Sequence, residues 1–117
     1  MSKMGLAHRK INKKMYILVL VTAANKKEAN LIAQQLVKER LAACVNIIDK
    51  IESIFFWQNK IEKAKENLLF IKSTKIKLPQ IIKKVKSLHS YQVPEVIAFE
   101  IKKGEKKYLN WLDESIK

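Results

Sequence analysis

The chain has 117 residues, 48% of them hydrophobic, with only two glycines and two prolines. That is the size of one domain with a real core and leaves little room for linkers or low-complexity segments. A single cysteine, Cys44, excludes an internal disulfide framework, and a formal charge of +13 raises the question of an anionic partner.

Five of the 24 basic residues (Lys3, Arg9, Lys10, Lys13 and Lys14) lie in the first fourteen positions. Residues 1–14 have no apolar period and are expected to form a disordered basic tail ahead of a domain over residues 15–117. Met15–Ala24 is the longest apolar stretch near the start. It is interrupted by Thr22 and falls far short of the roughly 18 residues of a membrane span. No small-residue cleavage pattern follows it, so it reads as a buried strand and not as a signal peptide. Arginine occurs only at Arg9 and Arg40. Lysine is the weaker residue for bidentate phosphate and base contacts, so the composition favours a solvated lysine surface over a nucleic-acid partner.

Asn25 caps a helix with Glu28 three residues on, as a capping box requires. Ala29, Ile32, Ala33, Leu36 and Val37 then hold one helical face as far as Glu39-Arg40. Leu41–Trp57 reads as extended, with Leu41, Ala43, Val45 and Ile47 on one face and Ile54 and Phe56 on the opposite parity. The phase changes at Ile48-Asp49-Lys50, which predicts a bulge. Gln58-Asn59 is the turn, since Asn tolerates positive φ, and Lys60–Thr74 is the returning strand. Leu78, Ile81, Ile82, Val85 and Leu88 repeat at helical spacing, with Pro79 acceptable in the first turn. Val96–Ile101 is a last strand, Gly104 a break, and Tyr108, Leu109, Leu112 and Ile116 a terminal helix.

The order β-α-β-β-α-β plus a C-terminal helix predicts an α+β, ferredoxin-like sandwich with helices over one face of an antiparallel sheet. Leu41–Trp57 would span about 55 Å fully extended, whereas a domain of this size is roughly 35 Å across. The central hairpin must therefore bend or project. Its outer part still carries Ile51, Ile54, Phe55, Phe56, Trp57 and Ile61, an aromatic surface that asks to be covered. Another copy of the chain is the economical cover, so a homo-oligomer is expected.

Arg40-Leu41-Ala42-Ala43-Cys44-Val45-Asn46-Ile47 resembles the second-strand signature of the divalent-cation tolerance (CutA) family. Ser53-Ile54-Phe55-Phe56-Trp57, with Lys60-Ile61-Glu62, resembles its hairpin tip. His89-Ser90-Tyr91-Gln92-Val93-Pro94-Glu95 is similar to its His-Pro-Tyr-x-x-Pro-Glu motif, and Tyr108-Leu109-x-Trp111-Leu112 to its terminal helix. The likeness runs from about Met15 to Ile116. It implies a homotrimer of ferredoxin-like subunits with long hairpins reaching onto neighbours, a cytoplasmic location, and a part in tolerance of copper and other divalent metal ions without enzymatic activity. The inter-subunit hairpin and cleft would include Ile51, Phe55, Phe56, Trp57, Ile61, Tyr91 and Trp111. Ser90 stands where the family usually has Pro, and Asn59 where it has Gly. Val21 and Leu88 replace a Cys and a His that some members offer to copper.

Three residues are candidate ligands for copper or another divalent metal ion. Cys44 could supply a thiolate, although a free cysteine in an apolar strand reads first as a small buried hydrophobe. His89 could supply a neutral nitrogen, or act as a cap at its helix end. Glu95 could complete a cleft between subunits, or pair with Lys72 or Arg40. Trp57, Tyr91 and Trp111 read as interface or core before ligand stacks. Two other functions fit the same topology. A small-molecule or nucleotide sensor resembling the PII-type trimers rests on fold analogy. An RNA-binding module lacks its strand signature, because Asn67-Leu68-Leu69-Phe70-Ile71-Lys72 has no glycine and one aromatic.

Overall fold

The computed structural model describes residues 15–117; the basic tail expected over residues 1–14 lies outside the described residues. Four strands, β1 (Tyr16–Ala23), β2 (Cys44–Trp57), β3 (Lys60–Thr74) and β4 (Val96–Ile101), form one antiparallel sheet in the order β2-β3-β1-β4. Three helices, α1 (Lys26–Lys38), α2 (Leu78–Leu88) and α3 (Lys106–Ser115), complete the β-α-β-β-α-β-α order. A short 3-10 turn, Lys75–Lys77, leads into α2. The fold is the α+β, ferredoxin-like sandwich expected from the pattern.

Alternation along β1 decides which face the helices cover. Ile17, Val19 and Val21 are buried and meet Leu69 and Ile71 of β3 in one core with Ile32 and Leu36 of α1 and Ile81 and Val85 of α2. Tyr16, Leu18 and Leu20 point to the other face and are half-buried. There Leu18 lies between Lys72 and Phe99, and Leu20 between Phe70 and Ile97. Phe99 remains 52% exposed. This second face is apolar, and α3 closes only one end of it, where Asp113 comes near Tyr16. Burial and that carboxylate both push the Tyr16 phenol up.

Helix α1 starts as its capping box predicts. The Asn25 side chain accepts from Glu28 N at 2.8 Å. The Glu28 carboxylate reaches back one residue further than a standard box, to Ala24 N at 3.2 Å. The helix ends in a Schellman motif, with Arg40 N–H to Val37 O and Leu41 N–H to Leu36 O at 3.0 and 2.9 Å. Arg40 takes the left-handed position at φ 58°, where a non-glycine residue costs about 1–2 kcal/mol. Its guanidinium donates to Glu114 O at 2.9 Å and Ser115 O at 3.1 Å, which holds the end of α3. Because Leu41 and Ala42 belong to this turn, β2 begins at Cys44 and not at Leu41.

The hairpin projects. The β2/β3 register breaks between Ile48 and Ile51, with Lys50 at φ 58°, so the bulge stands at the predicted change of phase. Gln58 and Asn59 both have positive φ, 49° and 66°, as a two-residue type I′ turn demands. The described chain measures 62 × 27 × 24 Å, with a radius of gyration of 16.7 Å. A compact domain of this length would have about 13 Å. Among the described residues no helix is long and apolar enough to cross a membrane.

Candidate functional site

The bulge turns the hairpin over relative to the rest of β2. Beyond it, Ile51, Ser53, Phe55 and Trp57 share one face with Glu66, Ala64, Glu62 and Lys60. Ile54 and Phe56 share the other with Lys63 and Ile61. Apolar side chains therefore stand on both faces of a two-stranded ribbon. Ile54, Phe56 and Ile61 are 62%, 70% and 71% exposed, and Phe55 and Trp57 on the opposite face are exposed as well. Ile51, nearer the sheet, is half-buried. Two strands supply no third layer on either side, so the ribbon cannot bury these groups by itself.

A polar cluster sits where α2 ends. His89 is buried, and its Nε2–H donates to Thr22 O at 2.6 Å. Its Nδ1 accepts from Tyr91 N–H at 3.1 Å and lies 3.5 Å from Glu28 Oε2. The partners set the tautomer: a carbonyl faces Nε2 and an amide N–H faces Nδ1. The ring thus ties the end of α2 to the end of β1, and does not cap its own helix. Glu28 Oε1 accepts from Ser90 N at 3.0 Å. Burial draws the Glu28 carboxyl upward, but hydrogen bonds from Ser90 and Ala24 outweigh it and hold it below the usual range. The Tyr91 hydroxyl donates to Glu66 Oε2 at 2.8 Å. Burial, followed by that hydrogen bond, pushes the phenol up to about 12. Nearby, Lys26 Nζ meets Asp49 Oδ2 at 3.1 Å and fastens α1 to the bulge. Between them the Asn67 amide, oriented by its neighbours, donates to Asp49 at 2.8 Å and accepts from Lys26 N at 3.0 Å.

The candidate metal ligands are placed apart. Cys44 is half-buried on the face opposite the core, its sulfur 3.9 Å from Asn46 Oδ1, which also accepts from the Lys72 ammonium. Cys44 pairs with Lys72, while His89 bonds at Thr22, which pairs with Leu68. Four residues along the strands and two strands across separate these points by about 15 Å. Both His89 nitrogens are already engaged. Glu95 is exposed in the loop before β4. Its expected partners are elsewhere: Lys72 bonds Asn46, and Arg40 is spent on the carbonyls of α3. Among the described residues no three His, Cys, Asp or Glu side chains gather as metal ligands do.

Trp111 and Tyr108 lie on α3 with ring centroids 5.5 Å apart, both partly exposed. The Tyr91 ring lies beside that of His89, with centroids 4.8 Å apart and planes tilted by 50°. Glu66 was not foreseen as a site residue. Its signal was present in the pattern, as a charge in a segment that the bulge turns inward, but its partner is 25 positions away.

The CutA1 divalent ion tolerance protein family model matches residues 17–115. The chain is 44% identical over 98 residues to the divalent-cation tolerance protein CutA of Thermus thermophilus, covering 84% of this chain and 95% of that protein. It is 46% identical over 99 residues to the chloroplastic protein CutA 1 of Oryza sativa, covering 85% of this chain but only 56% of the rice protein's length. The solved structure of the Thermus thermophilus protein superposes with a TM-score of 0.86 at 43% identity, over 88% of this chain and 100% of that one.

Proposed function

We propose, on the premise that the chain belongs to the CutA1 divalent ion tolerance family, that it works as a homotrimer whose hairpins reach onto neighbouring copies. The family is one of divalent-cation tolerance and not a known enzyme family. The observation that carries the reading is the ribbon with exposed apolar side chains on both faces. A single partner surface would cover one face and leave the other wet, whereas a hairpin lodged between two further copies is covered twice. The apolar sheet face with Leu20, Phe70, Ile97 and Phe99 offers the surface that such copies would share.

Divalent metal ions, copper among them, meet such an assembly between copies and not inside one subunit. One subunit does not fit a metal: His89 has no free nitrogen, and Cys44 and Glu95 each bring a single donor. Cys44 on the uncovered face and Glu95 in an exposed loop are the donors that association could bring together.

Native mass spectrometry with and without added copper(II) or zinc(II) tests both parts. The expected result is a three-subunit mass, with metal retained by the trimer only. A monomer as the main species, or metal held by a single subunit, would overturn the reading.

A further inference from the structure

We propose that two polar ties at the base of the hairpin, Asp49–Asn67–Lys26 and Glu66–Tyr91, set the direction in which it projects, and that Asn67 and Glu66 govern association without touching a neighbouring copy. The second half of that statement rests on the trimer proposed above; the first half does not.

The base of the ribbon is built as a hinge. β1 ends at Ala23, whose partner on β3 is Asn67. At the same level the β2/β3 ladder is broken, with Asp49 and Lys50 both standing opposite Asn67 and Lys50 at φ 58°. Outward of Asn67, β3 has no partner in β1, and its ladder with β2 restarts at Glu66 and Ile51. Seven residue pairs, from Ile51 opposite Glu66 to Trp57 opposite Lys60, lie beyond this point. Apart from Ile51, their large apolar side chains are exposed. Packing within the subunit therefore does not fix where the ribbon points.

The lever is long. Seven residues extend about 23 Å at ~3.3 Å each, so a tilt of about 10° at the base moves the tip by roughly 4 Å. A gap of about 1 Å already forfeits up to half of a van der Waals contact. A ribbon free to tilt would seldom meet a fixed surface.

The ties stand at the hinge. The Asn67 amide donates to Asp49 Oδ1 at 2.8 Å and accepts from Lys26 N–H at 3.0 Å, an N–H that the first turn of α1 leaves without a helical partner. Glu66 Oε2 accepts from the Tyr91 hydroxyl at 2.8 Å. The loop that carries Tyr91 is itself held to β1 through His89 and to α1 through Ser90. Consecutive strand residues point to opposite faces, so the two ties meet β3 from different sides and resist tilts about more than one axis. The Lys26–Asp49 ion pair is exposed and screened by salt, which leaves the constraint to the buried hydrogen bonds. Asn67 and Glu66 are 7% and 6% exposed within one subunit. They offer a neighbour almost nothing to touch, so their effect on association comes through the direction of the ribbon.

The test reads direction and association separately. Spin labels at Lys63→Cys on the ribbon and Gln34→Cys on α1, with Cys44→Ser, report the direction by pulsed electron–electron double resonance. All chains in that measurement carry Phe56→Ser and Ile61→Ser, so that no neighbour holds the ribbon, and labelled chains are diluted in unlabelled ones. Asn67→Asp with Tyr91→Phe cuts both ties: the first sets a second carboxylate against Asp49, and the second deletes one hydroxyl and keeps the ring. Asp49→Ala with Tyr91→Phe serves if that variant does not fold. Lys60→Ala is the control, because it breaks the Lys60–Glu62 pair, which lies wholly within the ribbon. The tie variants should broaden the distance distribution and the control should not. With the native tip restored, sedimentation equilibrium of the tie variants should show association at least about ten-fold weaker, the loss expected when the competent direction is populated about a tenth of the time. Widths unchanged in the tie variants would overturn the hinge, whatever the mass of the parent. Broadened distances with association as tight as the parent's would overturn the link to assembly. A monomeric parent would overturn that link together with the trimer, and the widths would still decide the ties.

Discussion

At the root of the sheet, the end remote from the hairpin where β1 begins, Arg40 holds the end of α3 by two carbonyls, and Leu112 is fully buried. At the tip Phe56 and Ile61, paired directly across the ladder, both face solvent. Both ends contain apolar residues at the density of a core. The root has a third layer to put on them and the tip has two strands alone. The stability of one subunit should therefore be decided at the root, and association at the tip.

Substitutions can break that comparison. Ile32→Ala removes a side chain buried among β1, β3 and α2 and should cost about 2–5 kcal/mol, read as a shift in the urea midpoint. A comparable loss from Ile54→Ala, measured on a dissociated subunit, would mean that the tip already has a partner within the chain.

Arg40 sharpens the account of the root. Arg40→Ala keeps the left-handed strain and loses both bonds to α3, for an expected cost of about 1–3 kcal/mol. Arg40→Gly loses the same bonds but relieves the backbone, so it should cost less by about 1 kcal/mol. Equal costs would show that the guanidinium alone matters.

The cluster between the two ends adds a pH dependence. The Tyr91 phenol has a raised pKa in the folded state, so its contribution is complete below the ordinary value of 10. It is lost as pH climbs from there towards about 12. Glu28 has the opposite sign: its lowered pKa contributes stability above the ordinary carboxyl value of 4.5, lost as pH falls through the folded value. Tyr91→Phe should flatten the alkaline limb of a stability–pH profile and leave the acid limb in place. An unchanged alkaline limb would remove the Tyr91–Glu66 bond from the account. The smallest effect is expected at the turn. Asn59 already occupies the left-handed region, so Asn59→Gly should change stability by less than about 1 kcal/mol, by thermal melting.

Most of the fold was legible because its signals are local. The capping box at Asn25 and Glu28, the parity change at Asp49-Lys50 and the Gln58-Asn59 turn are each read within a few residues, and each stands where expected. The start of β2 was not. A helix stop is signalled by glycine, and Arg40 takes that position here with a side chain whose reward lies in α3, 74 and 75 positions on. The polar cluster was half legible. His89 and Tyr91 stood out in a motif, but Thr22 and Glu66 become their partners only when the ends of β1, β3 and α2 converge.

The central claim is that other copies of the chain cover the hairpin tip. Sedimentation equilibrium of the parent protein beside Phe56→Ser with Ile61→Ser tests it most directly. The account predicts a three-subunit mass for the parent, and a shift to lower mass for the variant with its helical circular dichroism intact. A monomeric parent, or a variant that holds three subunits as tightly as the parent, would contradict it.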